Sequence, residues 1–109
     1  MATKTVRVAW LFKSDLKWLT DLKKRLDPVT PSPWVKFDSD SRADFLATKL
    51  SPHAKVAIYD YGQAFVASVQ IDAEEPDFDA QLASATQVVL STILPAIGAR
   101  DVKETAPPE

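Results

Sequence analysis

The sequence predicts an α+β fold: a two-layer sandwich with an antiparallel-rich sheet that carries its helices on one face. Three observations lead there. In residues 54–72, AKVAIYDYGQAFVASVQID, two alternating apolar runs meet at Tyr61-Gly62, which has the chemistry of a tight hairpin turn. Residues 5–12, TVRVAWLF, set Val6, Val8, Trp10 and Phe12 against Arg7, Ala9 and Leu11, the alternation of a strand. After the hairpin, Phe78, Leu82, Ala85, Val89, Ile93 and Ile97 recur at the period of a helix.

A chain of 109 residues suffices for one domain that buries roughly two thirds of its unfolded surface. We take residues 1–104 as that domain and 105–109, TAPPE, as a frayed tail. Apolar residues at 46% and charged residues at 26% are those of an ordinary globular protein. Cysteine is absent, which removes disulfides, thiolate metal sites and a cysteine nucleophile and suits a reducing compartment. The start, MATKTVRVAW, has no apolar signal-peptide core, and no apolar run reaches the roughly 20 residues of a membrane span. The expectation is a small soluble protein, cytoplasmic, with no membrane contact.

The first strand turns apolar on both phases by Trp10-Leu11, as a strand inside a sheet does. Ser14 stands where it can cap a helix, and Leu16, Leu19, Leu22 and Leu26 follow at helical spacing until Asp27-Pro28 stops it. Pro28, Pro31 and Pro33 stiffen a surface loop, and Trp34 to Asp38 is a short strand whose preceding prolines suit a sheet edge. Ser41 and Asp44 have capping-box spacing, and Ala43, Leu46, Ala47 and Leu50 suggest a short helix ended by Ser51-Pro52.

A two-residue turn at Tyr61-Gly62 would pair Asp60 with Gln63, Ile58 with Phe65 and Val56 with Ala67. The acidic run DAEEPDFD, residues 72–79, precedes the long helix and favours its positive end. Pro95 should kink or end that helix near Leu94, Gly98 should cap it, and residues 101–104 offer a brief last strand. The element order is therefore β-α-(β)-α-β-β-α-(β). Without the segment from Asp27 to His53 it becomes β-α-β-β-α-(β), the order of a ferredoxin-like arrangement, here carrying an insertion.

Few residues suggest catalysis. His53 is the one histidine, beside Pro52 and without a Gly-x-Ser-x-Gly serine, and reads as an ordinary surface group. Carboxylates for a metal would come from Asp38, Asp40 and Asp44 or from the 72–79 run, which lacks the spacing of a calcium loop and is explained by helix-start electrostatics. Gly62 and Gly98, the two glycines, are too far apart for a phosphate-cradling loop. We expect no enzyme activity, no cofactor and no metal.

Charge is uneven. Residues 1–36 hold eight basic and three acidic groups, whereas residues 37–109 hold five basic and twelve acidic. Such a dipole can steer a charged partner. Lys17, Lys23, Lys24 and Arg25 on or beside the first helix, with Trp10, Trp18, Tyr59 and Tyr61 as stacking surfaces, make nucleic-acid contact the alternative function, against an isoelectric point near 5.3. The main expectation rests on the long helix, which has no charged residue between Asp79 and Arg100 and more apolar positions than one buried face requires. Ser84, Gln87, Val88, Leu90, Ser91 and Leu94 are the expected protein interface. The chain then reads as a non-enzymatic protein–protein interaction module, a small inhibitor, immunity or assembly factor, whose partners include a second copy of itself.

Overall fold

The computed structural model describes residues 3–38 and 43–108. Six strands form one sheet: β1 Thr3–Lys13, β2 Val35–Phe37, β3 Phe45–Ser51, β4 Ala54–Asp60, β5 Phe65–Glu74 and β6 Arg100–Thr105. Their spatial order is β2-β3-β4-β5-β1-β6, and every neighbouring pair is antiparallel. Helix α1 spans Leu19–Leu26 and runs into a 3-10 turn at Asp27–Val29; α2 spans Glu75–Val88 and continues through a π-helical turn, Val89–Ile93, into the short α3, Leu94–Ala96. The class is α+β.

The expected helix at residues 43–50 is a strand. Seven residues of mixed apolar pattern satisfy two periods at once: Leu46, Thr48 and Leu50 alternate as well as Leu46, Ala47 and Leu50 repeat. Pairing decides the matter, because β3 sets Leu46 against Ile58 and Thr48 against Val56 across the ladder to β4. Asp40, Ser41 and Arg42 lie outside the described residues. The observed order is thus β-α-β-β-β-β-α-β, with β2 on the sheet edge, as the prolines before it suggested.

Three local expectations are also corrected. Ser14 does not cap α1, which begins five residues later with Trp18 at its N-cap. The Ser14 hydroxyl instead donates to the carbonyl of Ile97 at 2.6 Å and accepts from the amide of Leu16, tying the end of β1 to the end of the last helix. At the hairpin, Asp60 pairs with Phe65 and Ile58 with Ala67, a register two residues away from the one expected. The Asp60 side chain accepts the Gly62 amide at 2.8 Å, Gly62 takes φ +87°, and the Tyr61 amide donates to the Ala64 carbonyl at 3.0 Å, so the turn sits one residue later than expected, on Gly62-Gln63. A slip of two preserves the faces, so the core assignment of both strands survives. Finally, the acidic run is divided: Asp72 and Glu74 belong to β5, and α2 starts only at Glu75.

One phase of every inner strand enters a single core with both helices. Trp10 and Phe12, Leu46, Val56 and Ile58, and Phe65, Ala67, Val69 and Ile71 meet Leu19, Leu22 and Leu26 of α1 and Phe78, Ala85, Val89 and Ile93 of the C-terminal helix. The proline loop is held by a small polar knot. Trp34 is buried, its indole N–H donates to Thr30 Oγ1 at 3.1 Å, and its amide donates to Asp27 Oδ1 at 2.8 Å. The Thr48 hydroxyl, on the core side of β3, reaches the Ser32 carbonyl at 3.0 Å. These bonds let a loop poor in amide donors close over the edge of the core.

Replacing Trp34 with Ala should destabilise the protein by about 3–5 kcal/mol in chemical denaturation, through the cavity left under this loop. The Asp27 carboxyl is held below the usual carboxylate range, first by its hydrogen bond from Lys23 and then by the Trp34 amide. A lowered folded-state value stabilises at pH above the unfolded value, and that contribution fades as pH falls through the folded one. Asp27→Asn should therefore be less stable than the native chain at neutral pH, and the gap should close as denaturation is followed into acid below about pH 4.

Candidate binding surface on the open sheet face

The other phase of the strands faces away from both helices, and its residues fall into rows running across the sheet. The registers define three such rows. Lys49, Lys55, Gln70 and Arg7 stand side by side on β3, β4, β5 and β1. Two residues along each strand, Val35, Ala47, Ala57, Ser68, Ala9 and Thr105 form a row of small groups from β2 to β6. Two residues further, Phe37, Phe45, Tyr59, Val66, Leu11 and Lys103 form a row of large ones. At about 3.3 Å per residue the outer two rows stand roughly 13 Å apart, with the small row as the floor between them.

The large row is an aromatic ladder. Phe37 and Phe45 have ring centroids 4.9 Å apart, Phe45 and Tyr59 5.0 Å, and Tyr59 and Tyr61 6.5 Å, with interplanar angles of 17°, 31° and 27°. The rings thus pack against one another in sequence, with Phe37 and Tyr61 at the two ends of the ladder. Phe37 is 45% exposed and Val35 52% at the β2 edge, Tyr61 52% at the β4–β5 turn and Leu11 38% on β1. Ala9 and Ser68 are buried in the floor; two neighbouring cavities of about 140 and 420 Å³ share Ala47 and Lys55, the smaller reaching Arg7 and Ser68 and the larger Val35 and Phe37.

Electrostatics make the surface one-sided. Its three rows carry Arg7, Lys49, Lys55 and Lys103 and no carboxylate. Asp72, one row beyond, is already engaged: it accepts from the Thr5 hydroxyl and from the Gln70 amide, and these bonds, with Lys55 nearby, hold its carboxyl below the usual range. Lys49 and Lys55 are directly opposed across the β3–β4 ladder, a placement that disfavours the fold by like-charge repulsion.

The sites expected from sequence are dispersed. Of the six helix residues, Ser84, Gln87, Leu90 and Ser91 are exposed together on the outer side of α2 and its π turn, but Val88 is half-buried against the core and Leu94 is buried in it. Leu94 is therefore corrected from interface to core. Lys17 lies in coil before α1, Lys23 is bound to Asp27, and Lys24 and Arg25 are exposed, so no compact basic helix face results. His53 sits exposed in the turn between β3 and β4, where its carbonyl accepts the Asp72 amide at 2.9 Å. Among the described residues no three His, Cys, Asp or Glu side chains are grouped as metal ligands, and no helix is long and apolar enough to cross a membrane.

The surface that emerges was hidden by the helical reading of residues 43–50. Read as a strand, that segment would have placed Phe45, Ala47 and Lys49 on one face, opposite Tyr59, Ala57 and Lys55. The i,i+2 aromatic pair Tyr59/Tyr61 on the solvent phase of the hairpin was the available signal. No protein-family model matches this chain, and neither does any curated protein or solved structure.

Because Lys49 faces Lys55, Lys49→Glu should raise the stability of the isolated protein by a few tenths of a kcal/mol, turning a repulsive cross-strand pair into an attractive one. Urea midpoints at low salt check this, and the gain should shrink as salt is added.

Proposed function

We propose that the chain is a non-enzymatic protein–protein interaction module of the inhibitor, immunity or assembly-factor kind, and that its contact surface is the open sheet face. The observation that carries this reading is the ladder of Phe37, Phe45, Tyr59 and Tyr61 standing on a face that neither α1 nor α2 approaches. Large apolar groups gathered at one exposed place mark a surface built to be covered, whereas single exposed ones do not. On the outer side of α2 and the π turn only Leu90 is both large and exposed.

An isoelectric point near 5.3 favours a protein partner over nucleic acid. The cations of the three rows argue against two copies meeting face to face on this surface, since like charge would meet like. A second reading keeps self-association through Ser84, Gln87, Leu90 and Ser91, because this exposed stretch carries no charge at all. A chain without cysteine fits action in the cytoplasm. On the fold itself, we read a two-layer sandwich of ferredoxin-like order in which β2 and β3 are the insertion; with those strands set aside, β6-β1-β5-β4 remain as neighbours.

Photo-crosslinking residues placed in the native host separate the readings. Position 37 should give discrete protein adducts and position 24 none; equal labelling at both would sink the sheet-face reading. Light scattering should return 12.0 kDa for the isolated chain. A larger mass that Leu90→Glu restores to 12.0 kDa would move the contact to the helix.

A further inference from the structure

Resting on the sheet-face reading, we infer that the partner presents an acidic segment carrying apolar side chains, laid over the small-residue floor with its carboxylates toward Lys49, Lys55 and Arg7. Three observations converge on that chemistry.

The first is the order of the rows. Over β3 and β4, Lys49 and Lys55 stand along one border of the floor and Phe45 and Tyr59 along the other, so an occupant there is sorted across its width: one flank must be anionic, the other apolar. The rows are roughly 13 Å apart, wide enough for one polypeptide segment with its side chains.

The second is the opposed pair Lys49/Lys55. It weakens the isolated fold, and a carboxylate placed between the two ammonium groups would convert the repulsion into two attractions. The molecule as a whole is net negative, at −2, so this concentration of positive charge is local rather than a by-product of composition.

The third is the opening. The two cavities adjoin at Ala47 and Lys55, and the larger reaches the sheet edge beside Val35 and Phe37, where β2 is only three residues long. A segment can therefore enter from the edge and lie across β3 and β4, with Ala47 and Ala57 beneath it and Tyr59 alongside. Small floor residues permit its backbone to approach closely; aromatic rings on one border receive its apolar groups. The carboxylate of Asp72 lies one row beyond the floor and is held there by the Thr5 hydroxyl and the Gln70 amide, beside Lys55.

The test uses fluorescein-labelled synthetic peptides of twelve residues and the full-length protein, followed by fluorescence anisotropy at low salt. One peptide alternates Glu with Leu and Phe, a second replaces each Glu with Lys, and a third replaces the Leu and Phe with Ser. A twelve-nucleotide oligothymidylate is the fourth probe. The Glu/Leu/Phe peptide should bind saturably and at least tenfold more tightly than the other three. In the double variant Lys49→Glu/Lys55→Glu that affinity should fall at least tenfold, and the lysine peptide should become the preferred ligand. Phe37→Ser should weaken the acidic peptide without reversing the charge preference. Circular dichroism shows whether each exposed-site variant keeps its fold.

Equal binding of the acidic and lysine peptides, or no binding of the acidic one, overturns the inference. So does tighter binding of the oligonucleotide that the double variant abolishes, which assigns the surface to nucleic acid. If crosslinking at position 37 still yields discrete protein adducts while the acidic peptide fails, the face is right and the partner's chemistry is wrong; if both fail, the interaction reading goes with it.

Discussion

Everything in this fold hangs on the pairing of β1 with β5. Ten consecutive residue pairs, from Thr3 with Glu74 to Phe12 with Phe65, join segments about sixty residues apart in sequence. The hairpins β2–β3, β3–β4 and β4–β5 each close locally, but a meander of four strands has two open edges and one apolar face to cover. Once β1 docks on β5, both helices are delivered to one face: α1 leaves the end of β1 and α2 leaves the end of β5. The same docking creates the site at which β6 can add, on the far side of β1. The Ser14 hydroxyl bonded to the Ile97 carbonyl then fastens the two ends of this arrangement together.

Antiparallel sheets commonly carry polar side chains on a face that meets water. This chain follows that rule only along one row, Lys49, Lys55, Gln70 and Arg7. The next row is small and the one after it is aromatic or aliphatic up to Lys103; both are buried near β1 and β5, at Ala9, Ser68 and Val66, and exposed toward β2, at Val35 and Phe37. Alanine is a weak strand former, and two lysines opposed across a ladder repel. Residues chosen against the stability of the isolated domain, and arranged in register over four strands, are better explained by what covers the face than by the fold beneath it.

Much of the architecture was legible because local and tertiary signals agreed. The alternation of β1, β4 and β5, the helical period from Phe78 to Ile97 and the edge position after the prolines each had a single reading. Gly98 did too: it takes φ +64°, and its amide and that of Ala99 bond back to Pro95 and Leu94, closing the helix as a glycine after a helix end does. The failures came where a short segment carried two signals. Residues 45–51 fit helix and strand alike, and only the presence of β4 selects one. The hairpin turn lies one residue beyond the expected place: the Asp60 side chain accepts the Gly62 amide and Tyr61 bonds to Ala64, which centres the turn on Gly62-Gln63, a side-chain contact that alternation alone does not reveal. The candidate surface was illegible for the same reason as β3. Its rows exist only when residues from four strands are set in register, and one of those strands was read as a helix.

The uncharged helix shows how a backbone detail can change a functional argument. Counted at 3.6 residues per turn, Leu94 falls outside the stripe of Phe78, Ala85, Val89, Ile93 and Ile97 and looks like surplus apolar surface. The helix is not regular there. Pro95 has no amide to give to the carbonyl of Ser91, and its ring crowds that carbonyl. A π turn at Val89–Ile93, in which the Leu94 amide reaches back to the carbonyl of Val89, inserts one extra residue before the proline. Everything after it is rotated, and Val89, Ile93, Leu94 and Ile97 all end in the core. The apparent excess is thus largely absorbed by the chain itself, leaving Leu90 as the one large exposed side chain of that stretch. The open sheet face has no comparable backbone device to absorb Val35, Phe37 and Tyr61. Those side chains stay exposed, and in this the sheet face differs from the helix.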